Sequence, residues 1–300
     1  MIEIVKPDIN IDFVSKFKVS SVISVILVAI GLFGLFTKMD YGVDFRGGAE
    51  IQAKFATPVS LDLMRTKLEN AGFRGVSAQT IGDLSDNEIL LKVAANEESL
   101  NEVTQKVRKT LTTLFKEQKP DIRKIDIVGP KAGAALRISG FQAMLWAILA
   151  IMIYVGLRFD FKYAPGAIVA LFHDVAIILG VFAFTHTEFT LQTVAALLAV
   201  IGYSVNDTVI VYDRVREHEE SDRELPLAKH INSAINSTLS RTVLTSGTTL
   251  FVSLSMYFFG GQAIKDFFFA ITLGIIIGTY SSIFVASPVT LLFNKQKSNA

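Results

Sequence analysis

Residues 190–211 read TLQTVAALLAVIGYSVNDTVIV, and the interpretation of this stretch decides the fold. Its length suits the roughly 20 residues that cross a ~30 Å hydrocarbon core. Yet it holds Asp207 near one end, within Gly202-Tyr203-Ser204-Val205-Asn206-Asp207-Thr208. A charge at mid-bilayer costs about 2.5–3.5 kcal/mol on insertion scales, so a span that keeps one turns it toward protein or water. The stretch therefore predicts a membrane helix with a polar inner face.

Five more apolar runs of similar length lie around it, at 19–36, 140–157, 164–184, 243–259 and 267–292. Together they predict an integral membrane protein of six transmembrane α-helices. Of the 300 residues, 51% are hydrophobic and the formal net charge is +1, which offers no basic excess for a nucleic-acid partner. The absence of cysteine removes disulfides, thiol nucleophiles and cysteine metal sites. His186, His218 and His230 fall outside the apolar runs, so no metal site is expected. The run 19–36 follows Lys16 and Lys18 as a secretory signal would, but it is long for one and lacks a small-x-small cleavage pattern, which predicts an uncleaved anchor.

Orientation follows from the short connections. Arg158 and Lys162 lie in 158–163, and Arg214, Arg216, Arg223, Lys229 and Arg241 in a loop over 213–242, whereas 260–266 carries only Lys265. The positive-inside rule then puts the segment 1–18, the loop 213–242 and the tail 293–300 in the cytoplasm, and 37–139 outside. In that outer segment, strands are expected at 48–56, 76–81, 88–94 and 122–128. Amphipathic helices are expected at 60–71 (Leu61, Met64, Leu68) and 97–118 (Val107, Leu111, Leu114), with a turn over 82–86. The order β-α-β-β-α-β is that of a small α+β ferredoxin-like domain. Nothing in it marks a catalytic pocket, so a docking role is expected.

Polar groups within the spans are the candidate functional residues. Asp207 comes first, with Tyr203 and Asn206 expected to give it hydrogen bonds. Arg241, at the mouth of the fifth span, is its natural charge partner. Beyond Arg241 the residues Thr242, Thr245, Thr249 and Ser253 recur at helical spacing as a hydroxyl stripe. Burial favours the neutral form of a carboxyl and a nearby guanidinium favours its ion, so a movable Arg241 would switch the proton affinity of Asp207. The same residues also suit a fixed structural ion pair. His173 and Asp174 lie mid-way along the third span; hydrogen bonding is the expectation for His173, and Asp174 is left open between structural and relay roles. In the last span Gly274, Gly278, Ser282 and Ala286 recur every four residues, a stripe that lets another helix approach, from this chain or a second subunit.

Several motifs taken together resemble the SecF family of the bacterial SecDF protein-export complex, within the RND superfamily. They are Gly42-Val43-Asp44-Phe45-Arg46-Gly47-Gly48, Val128-Gly129-Pro130, Ala170-Leu171-Phe172-His173-Asp174-Val175, the stretch 201–216, Arg241-Thr242-Val243-Leu244-Thr245-Ser246-Gly247 and Ser281-Ser282-Ile283-Phe284-Val285-Ala286-Ser287. Arg46 departs from the smaller or uncharged residue of many relatives. The resemblance covers essentially the whole chain. It implies half of an RND-type bundle in the bacterial inner membrane and partnership with SecD and the SecYEG channel, with YajC and YidC as further candidate partners. It also implies use of the proton-motive force to assist preprotein export, with protons as coupling ion and no cofactor, and relay roles for Asp207 and Arg241. Half of a small-molecule exporter and a non-transporting assembly scaffold are the competing readings.

Overall fold

The computed structural model describes residues 10–81, 84–94, 100–159 and 161–298. Six helices among them are long and apolar enough to cross a membrane. The chain runs through α1 (Phe17–Lys38) and the short α2 (Val43–Arg46) into β1 (Gly48–Lys54), α3 (Leu61–Asn70), β2 (Arg74–Ile81), β3 (Glu88–Ala94), α4 (Leu100–Leu114) and β4 (Asp121–Val128). It then returns through α5 (Pro130–Arg158), α6 (Ala164–Thr185), α7 (Leu191–Ser221), α8 (Leu227–Phe259) and α9 (Gln262–Ser281), which continues through a wide turn into α10 (Ser287–Ser298). The turn expected over 82–86 begins at Gly82 and Asp83, which lie outside the described residues, as do 1–9 of the first segment and 299–300 of the tail.

The four strands form one sheet in the order β2-β3-β1-β4, antiparallel throughout. Ser60 caps α3 by accepting from the Leu63 amide, which starts the helix where its apolar spacing begins. Met64 and Leu68 of α3 and Val107 and Leu111 of α4 cover one sheet face, burying Ile51, Leu91 and Val93. Leu114, expected inward, is 37% exposed; the helix ends there, and Phe115 takes the buried place at 1%. Because strand side chains alternate, Glu50, Gln52, Lys92 and Asp126 point to the other face. They roof a polar cleft of about 410 Å³ whose floor includes Asp44 and Asp266 at the near end of the helical bundle.

The sheet is fastened to the bundle through the segment that precedes β1. The Gly42 amide donates to the Phe189 carbonyl at 2.9 Å, and the Phe189 amide to Asp40 at 2.7 Å. Asp44 Oδ2 accepts from the Leu191 amide at 3.1 Å, at the start of α7. Lys92 of β3 pairs with Glu188 at 2.6 Å, both nearly buried. Gly47 and Gly48 have φ of +80° and +150°, and a Cβ on Gly48 would lie 2.3 Å from the Val93 carbonyl oxygen. Only glycine fits that conformation and approach. The turn thus delivers the sheet directly onto the helix that carries Asp207.

Two helices reach well past the apolar runs. Instead of a loop over 213–242, α7 continues to Ser221 and α8 begins at Leu227, behind Pro226. The extra turns are amphipathic rather than apolar, burying Tyr212, Val215, Ile231 and Ile235 in the core, so hydropathy alone misses them. Likewise α5 starts at Pro130, not near 140, because its first turns pack Gly133 against Gly47. In the bundle α6 and α7 are the inner helices, with 61% and 56% of their apolar windows buried, against 17% for α8.

The small-residue stripe of the last span meets α7 of the same chain. A Cβ on Gly274 would lie 2.2 Å from Val200 Cγ2, and one on Gly278 3.1 Å from Ser204 Cβ. Ser282–Ala286 form a π-helical turn, in which Ser287 Oγ donates to the Ser282 carbonyl at 3.2 Å. The Ala286 carbonyl accepts from the Tyr212 hydroxyl at 3.3 Å.

Candidate functional site

Asp207 lies on the inner side of α7 and is 1% exposed. Ser246 of α8 donates to its Oδ2 across 3.4 Å, a long contact. Its Oδ1 has no hydrogen-bond partner among the described residues. Neither residue expected to help does so. The Tyr203 hydroxyl is buried without a partner, and Asn206 is exposed on another face. Adjacent helical residues point about 100° apart, so Asn206 cannot share the direction of Asp207. Arg241 is exposed and makes no ion pair among the described residues. The Asp207–Arg241 pair is open in this conformation.

The hydroxyl stripe of α8 is shifted from its expected line. Thr242, Ser246 and Ser253 are the buried members, while Thr245 is half-buried and bonds nothing on Asp207. Ser246 bridges to Thr279 of α9 at 2.8 Å, and Ser253 to Thr272 at 2.6 Å. These α9 threonines escaped sequence reasoning. The signal was available: Ser246/Ser253 and Thr272/Thr279 share a spacing of seven, which antiparallel helices bring face to face.

The second buried carboxylate is differently placed. Asp174 of α6 is 1% exposed, and its Oδ2 accepts from Ser204 of α7 at 2.6 Å and from Ser281 of α9 at 2.8 Å. Its Oδ1 lies 2.9 Å from His173 Nδ1. The His173 ring stacks on Tyr280, whose hydroxyl meets Ser24 of α1 at 3.0 Å. His173 Nε2 is buried without a partner. This cluster pins four helices together. Its serines were not singled out beforehand, because a serine's role depends on which helix it meets.

What the open face of the bundle presents is equally informative. Gly202, Asn206, Arg241 and Gly247 are exposed along α7 and α8, and a Cβ on Gly202 or Gly247 would meet nothing within 4 Å. An asparagine and glycines at that depth are poor lipid-facing groups but suit a second helix bundle.

The chain matches two family models: the C-terminal region of the protein export membrane proteins SecD/SecF over residues 106–296, and the SecD/SecF GG motif over residues 33–59. It is 41% identical over 295 residues to the protein translocase subunit SecF of Calditerrivibrio nitroreducens, covering 97% of this chain and 96% of that one. The SecF of Thermodesulfovibrio yellowstonii is 39% identical, with 95% of each chain covered. Among solved structures, the translocon-associated membrane protein SecDF from Thermus thermophilus superposes with a TM-score of 0.85 at 34% identity over 97% of this chain. A SecDF structure in the Super-membrane-facing form gives a TM-score of 0.72. This chain spans 40% of the length of each SecDF chain.

Proposed function

The chain belongs to the SecD/SecF family of protein export membrane proteins, and from that premise we propose that this multi-pass Sec translocase subunit couples proton flow to preprotein export. The observation that carries the reading is the state of Asp207: buried in a span and underbonded, with Arg241 of the neighbouring helix α8 exposed rather than paired to it. A carboxyl with a free oxygen can take up and release a proton without dismantling a packed network. Closing Arg241 onto it would favour the ion, and withdrawal would favour the acid. Each proton crossing 100 mV supplies about 2.3 kcal/mol, enough to bias a domain movement but not to tear a large interface in one step.

The strand order, read as β4-β1-β3-β2, supports a ferredoxin-like outer domain. Its attachment to the start of α7 gives a short mechanical path from Asp207 to the sheet. Lys and Arg counts support a cytoplasmic location for both termini and a periplasmic sheet domain in the bacterial inner membrane. The exposed polar strip on α7 and α8 is the seat for a second six-helix half, which in this reading is SecD, completing an RND-type bundle. SecYEG and the emerging preprotein are the wider partners, with YajC and YidC beyond them.

The test is proton-driven completion of preprotein export in vesicles holding this chain, SecD and SecYEG. Asp207→Asn keeps the shape of the side chain but cannot titrate. The variant is expected to assemble and to lose the proton-dependent step. Normal assembly with undiminished proton-driven export would make Asp207 a structural group and favour the scaffold reading.

A further inference from the structure

We propose that protons reach Asp207 from the sheet-domain side along the seam between α8 and α9, through the hydroxyl pairs Ser253–Thr272 and Ser246–Thr279. This rests on the relay reading of Asp207 and deepens it by assigning the outer half of the path.

Donor counting at the inner pair carries the inference. Three hydrogen-bonded acceptors are available to two hydroxyl protons: the Ile275 carbonyl, 2.7 Å from Thr279 Oγ1; the partner hydroxyl, at 2.8 Å; and Asp207 Oδ2, 3.4 Å from Ser246 Oγ. When Asp207 is ionised, Thr279 donates to Ser246 and Ser246 donates to the carboxylate. When Asp207 is protonated, it becomes the donor, so Ser246 turns to Thr279 and Thr279 to the Ile275 carbonyl. Both arrangements fit the same heavy atoms and differ by one proton, which enters at Thr279 and is relayed through Ser246 to Asp207. Thr248 is unlike this pair: it bonds only carbonyls of its own helix. Ser246 has no such backbone bond to hold its hydroxyl.

The outer pair extends the line toward water. Ser253 and Thr272 are 2% and 9% exposed and 2.6 Å apart. They sit seven residues nearer the sheet domain on each helix, which is about 10 Å. Thr249, half-buried on α8, lies between the two pairs in sequence, with its hydroxyl bonded to the Thr245 carbonyl at 2.8 Å. Another six residues along α9, or about 9 Å, lead from Thr272 to Asp266, which lines the polar cleft under the sheet. In each transfer a proton arrives on one oxygen as the resident proton leaves for the next. The net change is one new O–H bond on Asp207 and one proton removed from the outer water, and hydroxyl rotation restores the chain. The proposal requires water to bridge the intervals between the pairs during turnover.

The vesicle assay with SecD tests this directly. Ser253→Ala with Thr272→Val should slow the proton-driven step by about a hundredfold, the lower end for a lost proton-transfer group. Thr272→Ser, which returns the hydroxyl, should recover the rate relative to Thr272→Val. A double variant that assembles and runs at the unaltered rate overturns the ladder. If Asp207→Asn is inactive in the same series, the ladder alone is wrong; if Asp207→Asn is also active, the relay reading has failed. Should the double variant not assemble, the absence of native cysteine gives a second measurement. Single Thr249→Cys and Ser253→Cys variants should react with a small water-soluble thiol reagent added on the sheet-domain side. Complete protection of both during proton-driven turnover overturns the path.

Discussion

The two buried carboxylates of this bundle are equally hidden and oppositely satisfied. Asp174 receives two serine hydroxyls and faces an imidazole nitrogen, whereas Asp207 receives one long contact and leaves an oxygen bare. Burial alone would mark both as functional. Bonding separates them, because Asp174 is held by three groups from two other helices and its own. The distinction suits Asp174 to holding the bundle together and is consistent with the switching role proposed for Asp207.

The largest effect that would sharpen this contrast is on stability. Asp174→Ala leaves the Ser204 hydroxyl and His173 Nδ1 without their buried partner, while Ser281 keeps the Gly278 carbonyl at 3.1 Å, and each unsatisfied buried group costs about 1–3 kcal/mol. We expect a large fall in folded yield and thermal stability in detergent, with Asp174→Asn intermediate. A stable Asp174→Ala protein would break the comparison and return Asp174 to the list of relay groups.

The same contrast marks what was legible in the sequence. The six spans and the β-α-β-β-α-β order follow from hydropathy and periodicity, which are local properties. Asp207 and Arg241 could be singled out because a charge in an apolar run is conspicuous wherever it lies. Their relation could not, since whether Arg241 reaches Asp207 depends on the turn of α8 about its axis. The expected help from Asn206 failed on helical geometry that the sequence already contained. Ser204, Ser246 and Ser281 were invisible as a set, because serines become a site only when the packing of Gly274 and Gly278 on α7 brings the three helices close. The charged stretch 213–220 is legible as helix from its sequence, whereas the amphipathic turns at 227–242 escaped because they are too polar to read as membrane helix.

A third carboxylate, outside the membrane, extends the comparison to a smaller effect. Glu50 lines the cleft under the sheet, and its pKa is raised by burial, with the Lys92 charge opposing and Asp44, Asp126 and Glu188 adding to it. A folded-state pKa above the unfolded one favours folding below the unfolded value, near 4.5, and that contribution is lost as pH rises through the raised value. Glu50→Gln should therefore be more stable than the parent at neutral pH, by less than about 1 kcal/mol given partial solvent screening. The gap should close as pH falls toward 4.5. Thermal unfolding of the full chain across that range checks the sign. A gap that widened on acidification would show that Lys92, rather than burial, controls the site.

The smallest expected effect is the most discriminating. Asp207→Asn removes a charge from a site with one 3.4 Å contact, so no well-formed hydrogen bond is lost and the desolvation cost of an ion is relieved. Its stability should stay within about 0.5 kcal/mol of the parent, the low end for a single hydrogen bond. Set beside several kcal/mol for Asp174→Ala, that near-silence would separate a pin from a switch by measurement of folding alone, before any transport is assayed. A destabilisation of Asp207→Asn approaching that of Asp174→Ala would mean that Asp207 is held in the folded protein by a closed Arg241 pair. The open geometry would then be the minor state, and the switch would have to be sought in how that pair is broken.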